Sequence, residues 1–473
     1  VLLAVFGARE LLALVPGSLP RADDVAIDRT VLAATIATAA VVGIVFGLVT
    51  ALHARRASVA ETLHGGTRST AGASRAAGRR LLVAVEIALS VMLLVGAGLM
   101  ASSFVRLERV NPGFDPSHSV AADVLLPVGP RFNPVRDGPA WSRFFAELTG
   151  RLVTTPGVEA VGAVSSLPLS GAFESGGFAI EGRPPRPAGQ GLSAQYSVIA
   201  GDYFRAMGIK LLAGRAFDGR DRGDSAAIPV IIVSQAFATT HFPGESAIGK
   251  RLRSGFDFTG STREIVGIVD NVHQIGLGQA AEPMMYVPES QMPYPFLTLV
   301  LRAPGDALGA VPGARAALKS LDPTIALDKV RRLDDLLAQS LARQRFNLVL
   351  LTAFALSALA LALVGLYGVI ALSVGQRRRE IGVRLALGAQ TRDVVRLVLG
   401  EAARVTAAGI VAGLAGALAV SRLMRALLFD VSATDAMVYG AAAVIVAVVA
   451  LAATLLPARR ATRVAPMDAL RLE

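Results

Sequence analysis

Charge-free apolar runs separate a membrane-like part of this chain from an ordinary globular part. They lie at Thr30–Ala54, Ile87–Val105, Phe346–Gln376, Val405–Ser421 and Ala436–Ala458, with a partial run in Val1–Val15. The third holds no charged residue in 31 positions and the fourth none in 17. Hydrocarbon offers no partner to an exposed backbone group, so runs of this length predict spanning helices. The pattern therefore gives five spans and part of a sixth.

Between the second and third runs lies Arg106–Arg345, 240 residues of mixed pattern. Alternation and punctuation predict a strand at Val120–Leu126, a helix at Ala140–Thr154 ended by Pro156-Gly157, and a strand at Val158–Ser165. A second set follows much later: strand Phe296–Arg302, helix Ala307–Leu321, strand Ile325–Val330. Two βαβ units so arranged predict a split ferredoxin-like sheet. The segment 167–295 between them, with β-like runs at Ala194–Ile199, Val230–Val233 and Ile265–Val269, is expected to be an inserted β-rich lobe. From Leu333 to Ser373 the helical pattern is unbroken by Pro or Gly until Gly365, which predicts a rod of roughly 60 Å at 1.5 Å per residue. A break at Arg343–Arg345 is the alternative.

Charge orients these pieces. The chain has 473 residues and a net charge of +11, yet Arg106–Arg345 carries 25 Lys/Arg against 23 Asp/Glu. The excess is arginine beside the spans: six in 55–80, six in 377–396 and four in 459–473. Loops 21–29 and 422–435 hold two arginines each and at least as many aspartates. Positive loops stay inside, so the three arginine-rich segments are expected to face the cytoplasm and the 240-residue domain the exterior. The basicity is then a topological signal, and nucleic-acid binding is not expected. Cysteine is absent, which removes disulfides and thiolate metal sites. The chain opens at Val1 inside an apolar run and is read as the continuation of a longer protein.

Asp28-x-x-Val31 opens a span that closes into Ala54-Arg55-Arg56-Ala57-Ser58. Asp435-x-x-Val438 opens another, closing into Ala458-Arg459-Arg460-Ala461-Thr462. One full unit separates them, which suggests a tandem duplication. Residues 58–80 would be the flexible linker between copies.

Few motifs carry chemistry. Gly244-x-x-x-x-Gly249-Lys250 resembles a phosphate loop but has Arg251 where Ser or Thr is needed, and follows a helical stretch. Leu372-Ser373-Val374-Gly375-Gln376 resembles an ABC ATPase signature without a phosphate loop to complement it. No nucleophile elbow or zinc-protease motif occurs, so no enzyme, catalytic residue, metal or cofactor is expected. Glu86 lies inside a span, where a carboxylate is a functional candidate or a partner for Arg79 or another arginine. Gly43-x-x-x-Gly47 and Gly409-x-x-x-Gly413 permit close helix approach. In Gln376–Gly400, Ile381 and Leu385 share a face away from Arg377, Arg378 and Arg384. Gly388 can close a short helix, and Thr391 with Asp393 can cap the next. A rigid basic hairpin is expected, with exposed apolar residues suited to a partner.

Arg379-Glu380-Ile381-Gly382-Val383-Arg384-Leu385-Ala386-Leu387-Gly388-Ala389 resembles the hallmark of MacB/FtsX-type ABC-transporter permeases. Asn111-Pro112-Gly113-Phe114, Asp202-Tyr203-Phe204-x-x-Met207-Gly208, Leu212-x-Gly214-Arg215-x-Phe217, the Phe242–Lys250 segment and Ile265–Val269 are similar to it as well. With the repeat, the chain resembles the C-terminal part of a duplicated orphan permease (the ADOP family). The resemblance implies an α-helical transmembrane bundle of four spans per repeat unit. It also implies an α+β periplasmic domain with a split ferredoxin-like porter lobe and an inserted β-rich lobe.

The expected domains are 1–57, the last spans of an upstream unit; 58–80, the linker; and 81–105, a span. Next come 106–345, the periplasmic domain (porter lobe 117–166 and 296–332, insert 167–295), and 346–473, the FtsX-like domain with a coupling helix in 376–400. By the same resemblance, Arg378, Arg379, Glu380, Ile381, Arg384, Leu385 and Gly388 would dock on a separate cytoplasmic ABC ATPase dimer, which alone binds ATP. Its closure would move the periplasmic domain and drive efflux or extraction of a substrate across the inner membrane. Membrane lipid and a periplasmic adaptor are the other expected partners. The alternative is an FtsX-like regulator of a periplasmic enzyme or sensor that moves no solute.

Overall fold

The computed structural model describes residues 30, 33–34, 36–38, 40–41 and 44, and then 70–461 except 129–133, 185–186, 188, 224–227, 258–259, 378–383 and 385–389. They form two units: residues up to 108 together with 342 onward, and residues 109–341.

The first unit is helical: α1 (Thr70–Glu108), α7 (Ala342–Gln376), α8 (Thr391–Leu423) and α9 (Ala436–Ala461). Four helices among the described residues are long and apolar enough to cross a membrane, drawn from these four elements. Helix α1 is central. Val83, Ile87, Val91, Val95 and Leu99 recur every four residues along it and are all at most 4% exposed. Against that stripe pack Ala362, Leu366 and Ile370 of α7, Val398, Ala402 and Val405 of α8, and Ala442, Val446 and Ala450 of α9. Leu82, Val85 and Leu89 on the other side are exposed, so the helix is apolar all round.

The second unit is α+β. Its first part contains β1 (Ser119–Leu125), α2 (Pro134–Val153) and β2 (Ala160–Val164). After the insert come β10 (Phe296–Arg302), α5 (Val311–Leu321) and β11 (Leu327–Arg332). These strands pair antiparallel in the order β11-β1-β10-β2, the order of a ferredoxin-like sheet split by an insertion. Trp141, Phe145, Leu148 and Leu152 of α2 and Ala314 and Leu318 of α5 join Val120, Val124, Leu297, Leu299 and Leu301 in one core.

The insert holds β3 (Glu174–Ile180), β4 (Leu192–Gly201), the short helix α3 (Tyr203–Met207), β5 (Leu211–Gly214), β6 (Val230–Ser234), α4 (Gln235–His241), β7 (Arg251–Ser254), β8 (Thr262–Val269) and β9 (Met284–Pro288). Pairings β4-β3-β7-β8-β6-β9 return to β4 through the parallel register Gln195–Ile199 with Met284–Pro288. The β-rich lobe is thus a closed six-stranded ring filled by Phe178, Ile180, Val198, Ile231, Val233, Leu252, Ile265 and Met285. Closure removes the open edges that would otherwise invite strand addition. Strand β4 also pairs with β2, joining the lobes.

One local expectation changes. The rod from Leu333 is interrupted: α6 (Leu333–Ser340) ends and α7 begins at Ala342. Leu341, at φ −94° and ψ −6°, closes α6 with a bond to Ala338 O at 3.2 Å, the tighter three-residue spacing that ends many helices. The phosphate-loop lookalike is a turn into β7. Gly244 and Gly249 both have φ +79°, a conformation that suits glycine. Gly249 N–H donates to Ile265 O at 2.8 Å, and Lys250 Nζ meets Glu245 Oε2 at 2.7 Å. The amide and the lysine needed to cradle a phosphate are both engaged within the fold.

Candidate coupling site

The connection from α7 to α8 begins at Arg377 and ends at Gln390. Of the residues nominated there, Arg378, Arg379, Glu380, Ile381, Leu385 and Gly388 lie outside the described residues. Arg384 is helical and exposed. Helix α8 is capped by Gln390 rather than Thr391. Gln390 accepts from the backbone at Asp393 while Asp393 Oδ2 accepts from Gln390 N–H at 3.1 Å. A capping box needs its two side chains three residues apart, and Gln390 is the residue at that distance from Asp393.

About two turns beyond Asp393 along α8 stands Glu401, which the charge pattern alone did not single out. It follows Val394 and Val398 on the buried stripe of α8, and its side chain is only 15% exposed. Arg80 of α1 forms an ion pair with its Oε1. Arg377, just past the end of α7, approaches its Oε2 to 3.7 Å, and Ser373 Oγ donates to the same oxygen at 3.2 Å. One carboxylate therefore holds three helices at the end of the bundle where the arginine-rich connection attaches. The available signal was an acidic residue replacing an apolar one on an inward stripe.

Glu86 is placed differently from expectation. Its Oε2 is buried with no hydrogen-bond partner among the described residues. It lies against Gly365 of α7, where an added Cβ would stand 2.5 Å from that oxygen. Arg80 turns to Glu401 instead. Six residues of helix, about 9 Å, separate Arg80 from Glu86, and a guanidinium gains by staying near the interface.

The opposite end of α1 is also pinned. Arg106 Nη1 lies 3.4 Å from Asp430 Oδ2 and donates to the Asp430 carbonyl. Ser103 Oγ accepts from Phe429 N–H at 2.9 Å. Arg80 and Arg106 are about 39 Å apart along a straight helix, close to a bilayer with its interfaces. Between the pins, α8 lies hard against α1. A Cβ on Gly409 would stand 2.7 Å from Ile87 Cβ, and one on Gly413 2.7 Å from Ala88 O. The Gly409/Gly413 pair is a packing device.

The FtsX-like permease C-terminal family matches residues 352–466, most of α7, the connection, α8 and α9. Macrolide export ATP-binding/permease protein MacB 2 of Aeromonas hydrophila subsp. hydrophila is 27% identical over 291 residues, 58% of this chain and 43% of that protein. Residues 352–466 thus carry an FtsX-like permease C-terminal domain, and the chain is similar to MacB-type permeases. Pyoverdine export ATP-binding/permease protein PvdT of Pseudomonas putida is 29% identical over 280 residues, 55% of the permease and 40% of PvdT. The uncharacterized ABC transporter permease YvrN of Bacillus subtilis is 25% identical over 292 residues, 58% of the permease and 68% of YvrN. The permease aligns with about two-fifths of the length of the two export proteins.

Proposed function

We propose that the permease couples a separate cytoplasmic ABC ATPase to movement of residues 109–341 on the periplasmic side of an inner membrane. Efflux or extraction of a substrate would be the output. The observation that carries this is the arrangement around Glu401. The arginine-rich connection, inward-facing by charge, joins two helices whose ends are tied to α1 by one carboxylate. A push on that connection has a stiff path into α1. The export proteins that resemble the chain are named as combined ATP-binding/permease proteins. In this reading the nucleotide cycle belongs to a partner chain. Membrane lipid and a periplasmic adaptor complete the proposed set of partners.

Affinity capture of the tagged permease from its native membranes tests this reading. An ABC ATPase should copurify. Ile381→Asp or Arg384→Glu should release it while the chain still inserts at normal levels. Undiminished capture by both variants would defeat the docking assignment. ATP-dependent substrate movement in vesicles holding only permease and ATPase would separate transport from regulation of a periplasmic enzyme.

A further inference from the structure

We propose that Glu401 is the positioning residue that makes α1, the end of α7 and the start of α8 move as one body. This deepens, and rests on, the reading of the α7–α8 connection as the surface an ATPase pushes.

Three observations converge on it. First, Glu401 occupies the inward stripe of α8, following Val394 and Val398 and preceding Ala402 and Val405, all less than 9% exposed. An apolar side chain would satisfy packing there, so the carboxylate answers to something other than burial. Second, its partners come from two other helical segments: Arg80 from α1, and Ser373 with Arg377 from the end of α7. Ile370, Val374, Leu397 and Val398 close around the group, where charge pairs are screened less than at an open surface. Third, α1 and α7 lie close together beside the group: a Cβ on Gly365 of α7 would stand 2.5 Å from Glu86 Oε2 of α1, and Val83, Leu366 and Ile370 share one core. An ion pair at the end of such a contact fixes the register of the packed helices. A carboxylate shared by two guanidiniums is also a tie that breaks abruptly. Neutralising it removes the one charge that draws Arg80 and Arg377 onto a single group.

The chain has no cysteine, so paired spin labels can be introduced into the full chain without other changes. Exposed sites are Leu82 on α1, Leu372 on α7 and Arg392 on α8. In lipid nanodiscs the 82–392 and 372–392 distance distributions should each be narrow. Glu401→Gln, which keeps the volume and removes the charge, should abolish the narrow component of both. Glu401→Asp, which keeps the charge, should retain it, an outcome that packing alone would not produce. Narrow distributions in Glu401→Gln overturn the proposal. If that variant does not accumulate, Arg377→Gln decides. It should broaden 372–392 and leave 82–392 narrow, because Arg80 still holds Glu401; an unchanged 372–392 distance overturns the proposal. ATPase capture is scored separately. A wild-type chain that captures none defeats the proposed function and leaves the label result standing. Capture alongside unmoved labels defeats the clamp alone.

Discussion

Gly409 and Ile87 meet across the α1–α8 contact so closely that a Cβ built on the glycine would stand 2.7 Å from Ile87 Cβ. No real side-chain carbon tolerates that distance from another, so the helices must separate if the glycine is replaced. Without water between them, spanning helices gain from close packing and lose it quickly with separation. Gly409→Leu should lower the thermal midpoint of the detergent-solubilised chain. Overpacking costs about 1–3 kcal/mol, or several degrees for a unit of this size. Gly440→Leu is the control, because nothing lies within 4 Å of a Cβ there. Equal loss in both variants would show that the close approach is not what Gly409 provides.

Glu289 predicts a pH dependence confined to the α+β unit. It is 3% exposed, and Ser142 Oγ of α2 donates to its Oε1 at 3.0 Å. Burial pushes its pKa from 4.5 up to about 7, against the opposing hydrogen bonds from Ser142 and the Tyr294 backbone. The folded chain thus keeps a proton that the unfolded chain has released. Its contribution is complete below about pH 4.5 and is lost as pH rises toward 7, up to about 3 kcal/mol in all. Trp141, the single tryptophan, neighbours Ser142 and is 8% exposed, so its emission follows this unit alone. Glu289→Gln should flatten the fall in unfolding temperature between about pH 5 and about pH 8; an unaltered slope would exclude Glu289 as its source.

Arg263 and Asp257 form the most enclosed ion pair in the described part of the insert, 2% and 5% exposed and 3.0 Å apart. Burial lowers the arginine's pKa. Burial also pushes Asp257 up, but hydrogen bonds from Ser261 and Arg263 with the guanidinium's charge bring it below the usual carboxylate range. Arg263 also donates to Gln291 Oε1 at 3.0 Å. Arg263→Met should destabilise the insert by about 3–5 kcal/mol, because it strands a buried carboxylate. Adding Asp257→Leu should recover much of that loss. Chemical denaturation followed through Trp141 would measure both, and no recovery in the double variant would mean that packing, not charge, decides.

The ferredoxin-like half was legible because its strands are long and apolar: Phe296–Arg302 is observed with the limits its pattern gives. The insert was less so. Strand β3 contains Gly176 and Gly177, β7 is four residues long, and Pro283 and Pro288 flank the apolar Met284–Val287 of β9. None of the three carries alternation over enough positions to rise above loop composition, and the ring exists only through pairings distant in sequence. In the bundle, absence of charge marked the spans well. The same criterion started the α8 span at Val405 and so passed over Glu401, whose meaning depends on Arg80, more than three hundred residues away in sequence.

Glu86 and Gly365 supply the last prediction, because the carboxylate occupies the space a methyl group would need. Gly365→Ala places a carbon 2.5 Å from Glu86 Oε2, forcing the carboxylate aside or α7 outward. Either movement destabilises the α1–α7 contact, since Val83 and Ile87 of α1 and Leu366 of α7 already share one packed core. Glu86→Ala removes the obstacle, and in that background Gly365→Ala should be nearly neutral. A double-mutant cycle on the thermal midpoint reads the coupling directly, and residues in contact typically give interaction energies of about 0.5–3 kcal/mol. Additive losses would place Glu86 elsewhere in the working protein. Strong coupling with Glu86→Gln behaving like wild type would show that the group's size, rather than its charge, is what Gly365 accommodates.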